Sequence, residues 1–268
     1  MKPTKAVFSL LFPLAILGVL LLAWYMVQRI WEINSLILPP PADVAAAFDR
    51  IFDELLKATG RTVLAAGSGL GLSIVIGTSV AFLFSQSSLI RTAFYPWAIL
   101  LQTVPIVALA PIVIILFDRG LLSIIVISTT LGLFPVITST TTGLLQTDKG
   151  LQELFQLHSA TRWQTFFKLQ LPSSLPYLIN GVRIAGGACI VGAIVGEFFV
   201  GSSQPGLGAL IQRKHGALKT DELYAVVLVS TTLGASLFGI VTGLGELFLN
   251  RVMGMSLNTN KSASATLD

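Results

Sequence analysis

Long runs without charge, separated by short polar stretches, set the pattern of this chain. Six runs stand out, at 6–28, 62–84, 93–117, 121–143, 177–199 and 223–247. Each can cross a hydrocarbon core of roughly 30 Å as a helix rising about 1.5 Å per residue. The first follows "MKPTK", which resembles the start of a signal peptide. It is too long for the apolar region of one, and no small-x-small cleavage site follows, so it is predicted as a span. Six spans place both termini on the same side. The pattern therefore predicts an all-α polytopic membrane protein with six transmembrane helices.

Between the first two runs, Pro39, Pro40 and Pro41 stop any helix, and Asp43 can cap a new one. Ala47, Phe48, Ile51, Phe52, Leu55 and Leu56 then share one face, with Asp49, Asp53, Glu54 and Lys57 mainly on the other. An amphipathic helix is expected, lying on the membrane or against a partner.

Small residues recur every four positions within three runs: Gly69, Ser73, Gly77 and Ala81; Ala188, Gly192 and Gly196; Ala235, Gly239 and Gly243. Such stripes let helix backbones approach closely, for fixed packing or as sliding surfaces. Pro105 and Pro111 fall inside the third run and predict a kink. Arg183 interrupts the fifth run, and Glu246 lies near the end of the sixth. In antiparallel helices the two reach one membrane level, which predicts a pair; snorkelling of Arg183 to the headgroups is the other reading. Glu197 precedes "FFVGSSQPGLGALI" and can cap that glycine-rich return of the chain.

Composition agrees with the pattern. Of 268 residues, 53% are hydrophobic and 11% charged, with a mean hydropathy of +0.81. Soluble domains carry about 25% charged residues. The net charge of +4 suits a membrane face better than nucleic acid. Lys and Arg outside the spans divide eight against eight, so charge does not orient the chain. Cys189 stands alone in an apolar run, which rules out a disulfide framework within the chain. With two dispersed histidines and no cluster of ligands, no metal site is expected.

The polar segment "LHSATRWQTFFKLQLPSSLPYL", 157–178, is out of keeping with the rest. His158, Arg162 and Lys168 alternate with aromatic residues there. Thr147 or Asp148 can cap a first short helix and Ser159 or Thr161 a second. Trp163, Phe166, Phe167 and Leu169 offer apolar anchors beside Arg162 and Lys168. Such a cluster suits protein docking, and interfacial anchoring of Trp163 is the alternative.

With its flanks, this segment resembles the signature loop of the inner-membrane permeases of bacterial ABC importers. Glu153 matches the glutamate of that family's Glu-Ala-Ala run, although Leu154 and Phe155 replace both alanines. Ser159 falls at the glycine position, and Leu171-Pro172 matches the closing pair. "LPYLINGVRIA", "GAIVGEF" and "GLG" at 206–208 extend the match, and "ILPPPADV" resembles the nitrate, sulfonate and taurine branch. The "LHSATRW" pattern is similar to permeases for pyrimidine precursors of thiamine. The resemblance implies a type I permease fold with a core at 62–250 and a cytoplasmic coupling loop at 146–172. Segment 1–34 would hold the first transmembrane helix, 35–61 the external proline segment and amphipathic helix, and 251–268 a disordered tail. Glu153, Leu157, Ser159, Arg162, Trp163, Phe166 and Pro172 would couple the chain to ABC ATPase subunits. The other implied partners are an external substrate-binding protein, a second permease copy in a homodimer, and the lipid bilayer. The implied location is the bacterial inner membrane, with both termini cytoplasmic.

No G-x-x-x-x-G-K-[ST] stretch and no catalytic constellation occurs. A transport subunit without cofactor is expected, moving a pyrimidine precursor, a sulfonate or nitrate. A secondary transporter would call for inverted repeats and a central acid. A non-transporting scaffold would explain the glycine stripes but not the loop.

Overall fold

The computed structural model describes residues 3–201 and 205–253, all in helices and their connections. The tail expected from 251 lies, from 254 onward, outside the described residues. Helix α1 covers Pro3–Ile30, α2 Pro41–Arg50, α3 Phe52–Gln86, α4 Ser88–Thr103, α5 Ile106–Phe117 and α6 Leu121–Leu145. Two short helices follow, α7 (Lys149–Leu157) and α8 (Arg162–Thr165), then a π turn at Phe166–Gln170. Helices α9 (Leu171–Val200), α10 (Leu207–Gly216) and α11 (Thr220–Met253) complete the chain.

The six-span expectation is corrected. Four helices among the described residues are long and apolar enough to cross a membrane: Phe52–Gln86, Leu121–Leu145, Arg162–Val200 and Thr220–Arg251. A fifth is reached only if the bent pair α4 and α5 counts as one span. The run 93–117 is continuous in hydropathy but not in backbone. Val104 (ψ 122) and Pro105 (ψ 121) are both extended, so α4 ends before Pro105 and α5 starts anew at an angle of 102°. A residue before proline is pushed out of the helical region, which places the break at Val104–Pro105. Pro111 lies inside α5 and does not interrupt it. In the first run the described residues give the apolar stretch Ala15–Ile30 of α1, which is shorter than these spans.

The amphipathic helix expected at 43–57 is also divided. Ile51 (φ −114, ψ 19) separates α2 from α3, so its second half begins the first long span. Pro40 occupies the cap position of α2 with no side-chain bond, and Asp43 sits in the first turn instead of capping. Pro41 takes a position where its missing N–H costs nothing.

Helices α6 and α9 make the largest interface, with α3 laid against both and α11 along α9. Small residues make this possible. A Cβ on Gly77 would come 2.8 Å from Val136 Cγ1, and one on Gly192 2.8 Å from the Cα of Ser128. Gly196 approaches Ile124, and Gly69 fits against Ser128. Ser73 is fully buried, with its hydroxyl 2.8 Å from the Gly69 carbonyl and 2.9 Å from that of Thr129. Ser128 Oγ donates to the Cys189 carbonyl at 2.9 Å, so the crossing of α3, α6 and α9 is tied by hydroxyls as well as close packing. Gly239 and Gly243 differ: nothing lies within 4 Å of an added Cβ.

Candidate functional site

The bundle carries a polar feature at each end, one built on the loop 146–172. Helix α6 ends at Leu145, and Asp148, three residues on, accepts the N–H of Leu151 on its Oδ1 at 3.0 Å and opens α7. That helix closes through bonds from Ser159 N to the Gln156 carbonyl (2.9 Å) and from Ala160 N to the Phe155 carbonyl (3.0 Å). The closure requires a left-handed residue, and Ser159 supplies it with φ 54. Thr161 then opens α8 by a reciprocal cap. Its hydroxyl accepts the N–H of Gln164, and Gln164 Oε1 accepts the N–H of Thr161 at 2.8 Å.

Aromatic rings fix α8 against the end of α3. Phe82 stacks on Trp163 at 5.9 Å and meets Phe166 edge-on at 4.6 Å, while Trp163 stacks on Phe167 at 5.9 Å. Phe166 and Leu169 are buried, Phe166 against Ala81 and Leu144. Leu157 is 82% exposed, Trp163 62% and Phe167 57%. An apolar surface therefore projects from α7 and α8, with Arg162 and Lys168 exposed beside it. A cavity of about 370 Å³ between the two short helices is lined by Leu154, Phe155, His158, Ala160, Gln164 and Lys168. Of the residues expected to make contact, Leu157, Ser159, Arg162 and Trp163 are on the surface, whereas Phe166 is turned inward and Pro172 lies half-buried behind the π turn. Glu153 is exposed and holds neither α7 nor α8 by a hydrogen bond or ion pair. Phe82, unmarked in the sequence because it closes an apolar run, is the ring on which α8 rests.

The other end holds a clasp. Glu197 is 3% exposed, and its Oε2 accepts the N–H of Gly208 at 2.9 Å. Thr62 Oγ1 donates to the same carboxylate at 2.9 Å and accepts the N–H of Leu207 at 2.9 Å. Two side chains from distant helices thus serve the first N–H groups of α10, whose own cap residue, Gly206, has no side chain to offer. The arrangement is tight. A Cβ on Gly206 would overlap the Glu197 carboxylate, and one on Gly208 would overlap the Ile194 carbonyl. Arg61 Nη1 donates to the Pro205 carbonyl at 3.1 Å.

Beside the clasp, Lys214 of α10 reaches Glu54 of α3 at 2.6 Å and Glu222 of α11 at 2.7 Å. Burial alone would depress its pKa, but hydrogen bonds and charge from Glu222 and Glu54 outweigh that and hold it above 10.5. Lys219 joins Glu222 at 3.2 Å, and Arg50 of α2 pairs with Asp221.

Arg183 does not pair with Glu246. Its Nη2 donates to Asn180 Oδ1 at 3.0 Å and its guanidinium lies 5.1 Å from the Phe238 ring centre. Asn180 is one turn earlier on the same helix, and Phe238 is the facing ring of α11, so a local amide and a π face occupy the place expected of the acid. No group of three or more metal-ligating side chains occurs among the described residues.

Residues 73–258 match the family model described as binding-protein-dependent transport system inner membrane component. The chain is 31% identical over 235 residues to the formylaminopyrimidine transport permease protein of Halalkalibacterium halodurans, covering 85% of this chain and 93% of that one. It is 32% identical over 240 residues to a probable ABC transporter permease protein of Haemophilus influenzae, covering 90% and 97%. With the riboflavin transport system permease protein of Chloroflexus aurantiacus it shares 29% identity over 88% of this chain and 87% of that one. Among solved structures, an inward-facing form of the MetNI methionine ABC transporter matches with a TM-score of 0.56 at 21% identity, over 72% of this chain and 98% of that chain.

Proposed function

The chain belongs to the binding-protein-dependent transport system inner membrane components, and on that premise we propose that it forms half of a translocation pore coupled to ATPases through α7 and α8. Members of this family are multi-pass permease subunits of ABC importers and are not themselves catalysts. The proposed assembly is a homodimer with two ATPase subunits and an external binding protein. Both termini are cytoplasmic in this reading, the loop 146–172 faces the cytoplasm, and α2 and α10 face outward. The proline segment at 35–61 then belongs outside, and the translocating core spans 62–250.

One observation carries the docking role. Leu157, on α7, and Trp163 and Phe167, at the first turns of the rod Arg162–Val200, stand exposed next to Arg162. Aromatic residues with arginine are the usual anchors of protein interfaces. The solute is a small polar organic molecule or anion. A pyrimidine precursor ranks first, supported by the relative named for formylaminopyrimidine. A sulfonate ranks second, supported by a 26% identical Bacillus subtilis relative named for aliphatic sulfonates. Nitrate ranks third, supported by a 22% identical Synechocystis relative named for nitrate import.

Trp163→Ala tests the docking role. Loss of an aromatic anchor costs an interface about 2 kcal/mol, or roughly 25-fold in affinity. The variant should insert normally, lose the ATPase during purification in detergent and lose uptake in cells. Full ATPase binding at normal expression would leave the segment as a membrane anchor only.

A further inference from the structure

Arg162–Val200 is one helical rod of 39 residues, so α8 is the beginning of the span that continues as α9. Anything that grips Arg162 or Trp163 holds the end of α9 itself. Within this rod lies one turn of a different kind. Leu171 N–H donates to the Phe166 carbonyl, five residues back, where an α-helix would reach four.

Two features of the sequence account for it. Pro172 has no N–H, so the Lys168 carbonyl has no α-helical donor, and the turn can widen without losing a bond. The Leu169 carbonyl is served by a side chain, the Ser173 hydroxyl at 2.7 Å. Proline alone is not sufficient, because Pro96, Pro111, Pro135 and Pro176 all lie inside helices that keep the α register. The second feature is packing. Phe166 and Leu171 both lie against the cluster of Ala81 and Leu144. In an α-helix, residues five apart point about 140° away from each other. The π turn brings these two to the same side.

We propose that the π turn at Phe166–Gln170 is a yielding joint between the docking segment and α9, with Pro172 as the positioning residue that keeps it open. Closing the turn to α geometry removes one residue from the loop of the helix and rotates α8 by about 100° relative to α9. Leu171 stays with α9 against Ala81 and Leu144, while Trp163 and Phe166, on the other side of the joint, swing together. The joint lets an ATPase turn the docking segment first and load α9 afterwards. This inference rests on the docking role proposed above.

The test is deletion of Gln170, which lies within the turn and outside the lining of the cavity between the short helices. Phe166 and Leu171 would then be four apart, on one face of an ordinary α-helix, so the packing is kept and the joint is lost. Full complexes with the ATPase and binding protein of the proposed assembly are reconstituted in vesicles. Expected are ATPase binding within twofold of the wild type, persistent ATP hydrolysis and uptake lowered at least tenfold. Amide hydrogen exchange over 166–172 should slow at least tenfold in the deletion, and less in Pro172→Ala, which restores the missing donor. Normal uptake with unchanged exchange would overturn the joint. Loss of ATPase binding on deletion would also overturn it, because the turn would then only set where α8 sits. Trp163→Ala separates the two ideas: if it binds ATPase fully, docking fails, whereas lost binding there with normal uptake in the deletion refutes the joint alone.

Discussion

Ser159 adopts φ 54 at the end of α7, a conformation that glycine takes freely and other residues take at a cost. The family's loop has glycine at this position, and the geometry gives the reason: the Schellman closure of α7 demands a left-handed residue. Ser159→Gly should therefore stabilise the closure by about 1 kcal/mol, read as roughly fivefold slower exchange of the amides at 159 and 160. At the clasp the expected signs are opposite. Thr62→Val keeps the volume but strands the Leu207 N–H, at a cost of about 1–3 kcal/mol. Gly208→Ala would press a methyl group into the Ile194 carbonyl and should abolish the folded form, while Gly187→Ala, with nothing within 4 Å, should melt as the wild type does. Thermal unfolding in detergent measures all three. Sequence pattern could point to Glu197, a lone acid before a glycine-rich return. It could not point to Thr62, whose partner amide lies 145 residues away and whose type is unremarkable at the edge of an apolar run.

Between elements, ion pairs do what small residues do in the bundle. Lys214 joins the start of α3 to the start of α11 through α10. Lys214→Met should lower stability by about 2 kcal/mol, since Glu54 loses its counter-charge and Glu222 keeps only Lys219. Adding Glu222→Gln should recover part of the loss. A lysine whose pKa is raised on folding contributes stability that is complete below the unfolded value and lost as pH rises through the folded value. The Lys214 contribution should accordingly be flat through neutral pH and fail above 10.5, seen as a falling melting temperature that Lys214→Met does not share. Hydropathy located the apolar stretches of all these elements but not their breaks. The bend at Pro105 follows from a local steric rule, yet its 102° angle depends on how α4 and α5 pack on α6, which no run of apolar letters encodes.

At the scale of the molecule, orientation is the first thing to establish. A cysteine in place of the exposed Asp49, with Cys189→Ala, should react with an impermeant thiol reagent added from outside the cell. Labelling only from the cytoplasmic face would invert the topology and remove the docking role of α7 and α8. The distances in sequence across the clasp have a further consequence, for synthesis. Thr62 meets Glu197 after 135 more residues have been made. At about 5–20 residues per second, a ribosome needs roughly 7–27 s to supply them. Of the acceptors that the Thr62 hydroxyl reaches in the finished fold, the Ala58 carbonyl of its own helix is the one already present during that interval. When Glu197 emerges it needs eleven residues more before the Gly208 amide exists to donate to its carboxylate. A nascent chain halted in that window would hold Glu197 with Thr62 as its donor and without the Gly208 amide that completes the clasp.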